Sequence, residues 1–251
     1  MRYLILSDIH GNQEALTAVR NHSRRKKIDR VLFLGDAVGY GASPNSVLEW
    51  LRTLTPPPLV VRGNHDRVCA RLDGGEYFNR HALIAAEWTA RHLDQRNGQY
   101  LRDLPEGPIE VDDDVVICHG SPEDEDTYIF SGYDAAPAFG LVRQPVIFFG
   151  HTHVPSLFAL DNRGDKPTIH VRLLSGDRQT IDVEPGCRYL VNPGSVGQPR
   201  DRVAKAGYAI WDGEARRIYH YRVSYSAARA RKRIVRAGLP AVLGDRLLLG
   251  V

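Results

Sequence analysis

Five short apolar runs, Tyr3 to Ser7, Val31 to Gly35, Leu59 to Arg62, Val115 to His119 and Val146 to Gly150, each pass directly into residues able to bind metal. The junctions read Asp8-Ile9-His10, Gly35-Asp36, Gly63-Asn64-His65-Asp66, Cys118-His119-Gly120 and Gly150-His151-Thr152-His153. The runs are mostly β-branched or aromatic and are bounded by turns, which predicts buried strands. Between the first three lie helical patterns, Gln13 to Arg24 with apolar Ala15, Leu16 and Val19, and Ser46 to Leu54 with Val47, Leu48 and Leu51 on one face. Strand, helix, strand implies an α/β core with a parallel sheet. In an open sheet of that kind the loops at the carboxyl ends of the strands leave a crevice, where residues far apart in sequence meet.

The rest of the chain has to cover this core. A longer helix is predicted from about Asn79 to Leu93, and Asp134 can cap a short one before the Val146 strand. After His153 the texture changes to short strands separated by turns, namely Ser156 to Leu160, His170 to Leu174, Gln179 to Val183, Arg188 to Val191, Tyr208 to Trp211 and Arg217 to Val223. These read as a second, largely antiparallel sheet. Both sheets must bury an apolar face, so the predicted fold is α/β, a four-layer α-β-β-α sandwich of two facing mixed sheets flanked by helices. With 251 residues, 43% of them hydrophobic, one large core is sufficient, so residues 1–251 are expected to form one domain ending in a basic helix and tail over 225–251.

Composition excludes more than it selects. No stretch approaches the roughly 20 apolar residues that span a bilayer, and the N-terminal run turns polar too soon for a signal peptide, so a cytoplasmic protein with no membrane association is expected. Cys69, Cys118 and Cys187 are widely separated and form no CxxC pair, which fits a reduced compartment without a disulfide framework. A formal charge of +3, from 33 basic and 30 acidic residues, is too even to require nucleic acid. The cluster Arg229, Arg231, Lys232, Arg233 and Arg236 reads as a solvated helix face, with nucleic acid or a partner such as a second copy of the chain as competing uses.

The chemistry therefore rests on the strand ends. Asp8, His10, Asp36, Asn64, His119, His151 and His153 mix imidazole nitrogen with carboxylate and amide oxygen and include no thiolate, which favours Mn, Fe, Co or Zn over Mg or Ca. Within Asp8-x-His10 and His151-x-His153 the spacing of two points both side chains to one side of an extended backbone. These ligands are too many for one structural zinc. Two divalent or trivalent transition-metal ions bridged by one carboxylate are the economical explanation. Taken singly, an Asp-x-His is more often a surface or capping feature, and His22, His81, His92, His170 and His220, without ligand-rich neighbours, read as structural or solvated. Two such ions roughly 3.5 to 4 Å apart can activate a shared water as a metal-bridging hydroxide for in-line attack, and with the resemblance given next the expected substrate is a phosphate ester. Asn12 is read as a phosphate contact or a helix cap, and Ser195 and Arg200 as pocket border or ordinary loop.

The ordered series from Asp8 to His153 resembles the calcineurin-like metallophosphoesterases. Asn192-Pro193-Gly194-Ser195-Val196-Gly197-Gln198-Pro199-Arg200 extends the resemblance to small bacterial and archaeal members that open with Asp-Ile-His-Gly-Asn. The resemblance implies one metal held by Asp8, His10, Asp36 and His153 and a second by Asp36, Asn64, His119 and His151, with Asp36 as the bridge. It also implies two facing sheets flanked by helices, and a non-ligand His65 near the leaving group. His65 is read as donating a proton to the departing oxygen or stabilising the transition state, with Asp66 fixing its tautomer, against the competing reading that it only orients a ligand. Protein Ser/Thr phosphatases and dinucleoside tetraphosphate hydrolases of the family carry Asp-Arg-Gly where this chain has Gly39-Tyr40-Gly41, and Gly-Asn-His-Glu where it has Gly63-Asn64-His65-Asp66. Without that arginine a phosphoprotein fits less well. A small phosphodiester or phosphomonoester, nucleotide-derived esters included, fits better, with Tyr40 at the rim stacking on a base. A catalytically weak metal-binding scaffold of the same fold and a nucleic-acid-directed phosphodiesterase are the rival readings.

Overall fold

The computed structural model describes every residue from Met1 to Val251. In chain order its strands are β1 (Arg2–Leu6), β2 (Arg30–Phe33), β3 (Leu59–Val60), β4 (Ile109–Glu110), β5 (Val115–Ile117), β6 (Val146–Phe148), β7 (Ser156–Asp161), β8 (Thr168–Leu173), β9 (Arg178–Asp182), β10 (Cys187–Asn192), β11 (Lys205–Asp212) and β12 (Arg217–Ser224). Its helices are α1 (Gln13–Ser23), α2 (Pro44–Arg52), α3 (Asn64–Cys69), α4 (Arg80–His92), α5 (Gln95–Arg102), α6 (Gly132–Leu141), α7 (Ala227–Arg236) and α8 (Ala241–Leu249). None of them is long and apolar enough to cross a membrane.

The strands form two six-stranded sheets, β3-β2-β1-β11-β12-β9 and β4-β5-β6-β10-β7-β8. Here the structure corrects one expectation: the strands after His153 do not make a sheet of their own. The parallel trio β1–β3 is extended by β11, which pairs antiparallel with β1 so that Tyr3 faces Trp211 and Leu4 faces Ile210. In the other sheet β10 lies parallel to β6 and antiparallel to β7. The physical reason is that β1 and β6, each apolar on both faces, would otherwise present an open edge of unpaired backbone groups. Both sheets are mixed, as the sandwich reading requires.

Residue parity along β1 shows how the layers are held. Tyr3 and Ile5 point between the sheets, joining Leu32, Val115, Phe148, Val191 and Trp211 in one buried cluster. Leu4 and Leu6 point the other way, against Leu16 and Val19 of α1 and Val47, Leu48 and Leu51 of α2. On the far side Val116, Ile147 and Phe149 meet Ala135, Ala138 and Phe139 of α6. This is the α-β-β-α order, and it explains why the strands read as continuous apolar runs: both faces are covered. Each fully buried side chain of this kind contributes on the order of 1.5–3 kcal/mol of transfer free energy.

Helix ends follow local capping chemistry. Asn12 accepts from Ala15 N at the start of α1, and Asn79 accepts from Ala82 N at the start of α4. Asp134 differs from expectation. Ser131 is the N-cap of α6 and Asp134 sits three residues inside, its carboxylate returning to Ser131 N at 2.9 Å in a capping box. The basic helix α7 buries Ala230 and Ile234 against Leu243 and Leu247 of α8, beside Tyr40.

Candidate metal centre

Strands β1, β2, β3, β5 and β6 end at one place, and backbone pairing continues past the last residue of each. Asp8 N bonds Gly35 O at 3.0 Å, His10 N bonds Asp36 O at 2.9 Å, and Gly150 N bonds His119 O at 2.7 Å. A bond from His119 Nδ1 to Leu34 O, 2.7 Å, ties the two sheets together at this end. The price is backbone strain: Asp8, His10, Asp36, His151 and His153 all adopt left-handed φ, between 48° and 64°. Such a conformation costs on the order of 1–3 kcal/mol per residue and clusters at functional sites, Asp and His being among the side chains that tolerate it. Gly63 is required for a different reason, since a Cβ there would lie 2.1 Å from Asp36 Oδ1.

The histidine rings are held in defined tautomers. His10 Nδ1 lies 3.0 Å from Val38 O, His153 Nδ1 2.5 Å from Gln198 O, His119 Nδ1 2.7 Å from Leu34 O, and His151 Nε2 3.1 Å from Asp126 O. A carbonyl only accepts, so each of these nitrogens carries a proton, and in a neutral ring the other nitrogen is a bare lone pair. In His10, His153 and His119 that second nitrogen faces further acceptors or lone pairs. His10 Nε2 is 3.2 Å from His153 Nε2 and 3.4 Å from Asp36 Oδ2, and His153 Nε2 is 3.3 Å from Asp8 Oδ1. His119 Nε2 is 3.6 Å from Asp36 Oδ2 and 3.3 Å from Asn64 Oδ1.

Lone pairs at these separations with no proton between them repel. Both carboxylate oxygens of Asp8 and Oδ2 of Asp36 are buried and have no hydrogen-bond partner. Burying such oxygens without a donor or cation costs several kcal/mol. Cations satisfy every one of these atoms at once, so the donor set fits metal. Ligand atoms of Asp8, His10, Asp36 and His153 lie within 4.8 Å of one another, and Asp36 Oδ2 also faces His119. The orienting carbonyls are the usual outer partners of metal-ligating histidines.

Electrostatics agree with the geometry. Burial pushes the Asp8 and Asp36 carboxyls above the usual carboxylate range, and Asp66 and Asp8 raise Asp36 further. Burial also holds His10, His151 and His153 neutral, helped by the Arg200 charge. Arg200 has no carboxylate within 4.0 Å; its Nη2 donates to Tyr40 Oη at 3.3 Å and to Gln198 Oε1 at 3.2 Å.

The remaining predicted residues fall into place unevenly. His65 is buried beside the centre, its ring 4.4 Å from Tyr40, 4.8 Å from His10 and 4.3 Å from Phe78, and its Nδ1 has no partner. Gly39 makes room for it, because a Cβ at that position would meet His65 Nδ1 at 2.5 Å. Asp66 does not fix the His65 tautomer. Its carboxylate accepts from Asp36 N at 2.8 Å, Val38 N at 3.2 Å and Gly63 N at 3.2 Å, which locks the loop bearing Asp36 to α3. Asn12 caps α1 and donates from Nδ2 to Gly197 O at 2.8 Å, so at least one amide proton is committed. Tyr40 is 6% exposed and packed on His10 and His65, and it is among the residues that line the cleft onto which Asn64, His65 and His151 open. Ser195 is fully buried, donating to Asp8 O at 2.8 Å and accepting from Gln198 N at 2.7 Å.

Sequence reasoning missed the loop after His119. Glu125 is buried and bonded to Arg67 and, at 3.0 Å, to Arg62, and Asp126 accepts from Arg67 Nη2 at 2.7 Å. This network positions the Asp126 carbonyl that orients His151. Its only signal was the acidic run Glu123 to Asp126 following a ligand. Asn64, His65 and His151 open onto a cleft of about 480 Å³ whose walls include Arg67, Tyr77, Phe78 and Tyr128.

Residues 1–216 match the model of the calcineurin-like phosphoesterase superfamily domain. The chain is 37% identical over 254 residues to an uncharacterized protein of Methanocaldococcus jannaschii, covering 98% of this chain and 97% of that one. Among solved structures it is similar to a metallophosphoesterase from Sphaerobacter thermophilus, with 37% identity, a TM-score of 0.83 and coverage of 100% and 99%. It shares its fold with a hypothetical protein from Pyrococcus horikoshii, with 23% identity, a TM-score of 0.77 and coverage of 100% and 98%.

Proposed function

This chain belongs to the calcineurin-like phosphoesterase superfamily, and from that premise we propose that it hydrolyses a small phosphodiester or phosphomonoester with the help of two transition-metal ions. The observation that carries the reading is the convergence of bare imidazole nitrogens and unpartnered carboxylate oxygens on one point. Asp8, His10, Asp36 and His153 would hold one ion, and Asp36, Asn64, His119 and His151 the other. Mn, Fe, Co and Zn suit this mixed nitrogen and oxygen set. When bound, the ions supply Lewis-acid polarisation of the phosphoryl group and an activated water nucleophile.

The chain's own residues do the rest. Two carboxylates among neutral histidines and an amide leave a loaded site positive, which draws phosphate in. Arg200, with no acidic partner, adds to that field. His65, boxed by Tyr40, Phe78 and His10 in the cleft wall, would donate a hydrogen bond to the leaving oxygen as its charge develops. Asp66 acts only on the loop geometry beneath it.

The test is to strip the protein with chelator, restore Mn, Co, Zn or Fe singly, and assay bis-p-nitrophenyl phosphate and p-nitrophenyl phosphate. Metal-dependent turnover of either ester is expected. Absence of hydrolysis with all four metals, despite metal binding, would make the chain a scaffold.

A further inference from the structure

The wall of the cleft beside the candidate metal centre is aromatic where it could have been polar. Tyr128 lies with its ring 4.0 Å from that of His151 and is 48% exposed. Just beyond the lining residues, Phe130 lies parallel to Tyr128, 5.7 Å away at an interplanar angle of 6°, and is 60% exposed, extending the aromatic surface outward from the cleft. Tyr77, from the connection between α3 and α4, lines the same cleft and is 90% exposed. Large exposed aromatic surfaces gathered at one opening mark a binding site more often than chance.

This shelf is also rigid. Ile129, between the two rings, is buried, Phe130 N donates to Asp134 of the α6 capping box at 3.1 Å, and Arg67 holds Asp126 just upstream. A preformed surface loses little entropy when a ligand covers it. The charges around it are one-sided: Asp73, Asp124 and Asp126 line the cleft, and its one cation, Arg67, is bonded to Asp73, Glu125 and Asp126. A second phosphate placed beside Tyr128 would meet carboxylates, and the one cation among the lining residues is already paired.

We infer that the outer cleft is a stacking subsite for a nucleobase, and that the substrate is a nucleoside phosphate ester with a single phosphate group, neither a polyphosphate nor a nucleic-acid strand. This rests on the phosphoesterase reading for the phosphate end and on Tyr128 and Phe130 for the base. The acidic rim suits the exocyclic amines of a base.

Calorimetry on the manganese-loaded protein tests the subsite without needing turnover. Adenosine 5′-monophosphate is expected to bind roughly tenfold or more tighter than ribose 5-phosphate, which carries the same phosphate without the base. Tyr128→Ala should bring the two ligands to within about threefold, Phe130→Ala, which does not touch His151, should move the ratio the same way by less, and Tyr128→Trp should preserve it. Adenosine 3′,5′-bisphosphate should bind no tighter than the monophosphate. Equal binding of the base-bearing and base-free ligands, a preference that survives Tyr128→Ala, or tighter binding of the bisphosphate would overturn the proposal. A protein that shows the base preference but hydrolyses no ester would keep the subsite and lose the enzymatic reading.

Discussion

Strands β1, β2, β3, β5, β6 and β10 run in parallel sets, whereas β4, β7, β8, β9, β11 and β12 pair antiparallel with their neighbours. Parallel strands bring their C-terminal ends to one side of a sheet, so five of them deliver all the candidate ligands. The sixth, β10, delivers the Asn192 to Arg200 loop that braces Asp8 and His153. Antiparallel strands end alternately at opposite edges and contribute no ligand at all. Direction thus divides chemistry from cover: the antiparallel strands widen the sheets and help fill the core, and the parallel ones assemble the site.

That division can be broken from the chemical side first. Asp36→Asn removes the one carboxylate that faces both histidine groups; kcat/KM should fall by roughly 10³ or more together with loss of both metals, read by metal analysis of the purified variant. A variant keeping two equivalents and normal turnover would remove Asp36 from the bridge. His65→Asn should lower kcat by about 10² while metal content stays at the wild-type level, because the proposed role of His65 is toward the leaving group and not as a ligand. Equal losses of metal and rate would reassign it to ligand support.

The bracing loop should show intermediate effects. Ser195→Ala leaves the Asp8 carbonyl and Gln198 N without their shared hydroxyl, and metal affinity should drop by about 10- to 100-fold, measured by competition with a chromophoric chelator. A histidine of the antiparallel part should act on stability alone. His220 on β12 is buried, bonded through Nε2 to Pro193 O at 3.1 Å, and pushed down to about 4 from its ordinary 6.5, chiefly by burial and then by Arg222. Its folded pKa is depressed, so between pH 6.5 and 4 the unfolded chain takes up a proton that the native one refuses, and stability is lost as pH falls through that window. The loss is on the order of 3 kcal/mol. His220→Gln should flatten that part of a denaturation profile by a comparable amount without changing metal affinity at pH 7.

What could be read from the sequence follows the same line. Strand ends such as Gly150-His151-Thr152-His153 announce themselves because residue type and period are local signals. Sheet membership does not, since β11 beside β1 and β10 beside β6 depend on edges that only the folded chain presents. Single polar residues were ambiguous for a related reason: Asn12, Tyr40 and Asp66 lie next to ligands in sequence, yet their side chains serve a helix cap, an aromatic box and a backbone clamp. The Arg67 contact to Glu125 spans 58 positions and left no local trace. The sequence pattern does not single out α3, α5 and α8, and α6 begins at the Ser131 to Asp134 capping box, one turn before the Asp134 cap expected.

Two ions sharing Asp36 are the central proposal, and titrating manganese into chelator-stripped protein while following both binding and bis-p-nitrophenyl phosphate hydrolysis tests it most directly. Binding should saturate at two equivalents per chain, with turnover rising as the second is taken up. Saturation at a single equivalent with full activity, or no binding above a chelator blank, would contradict it.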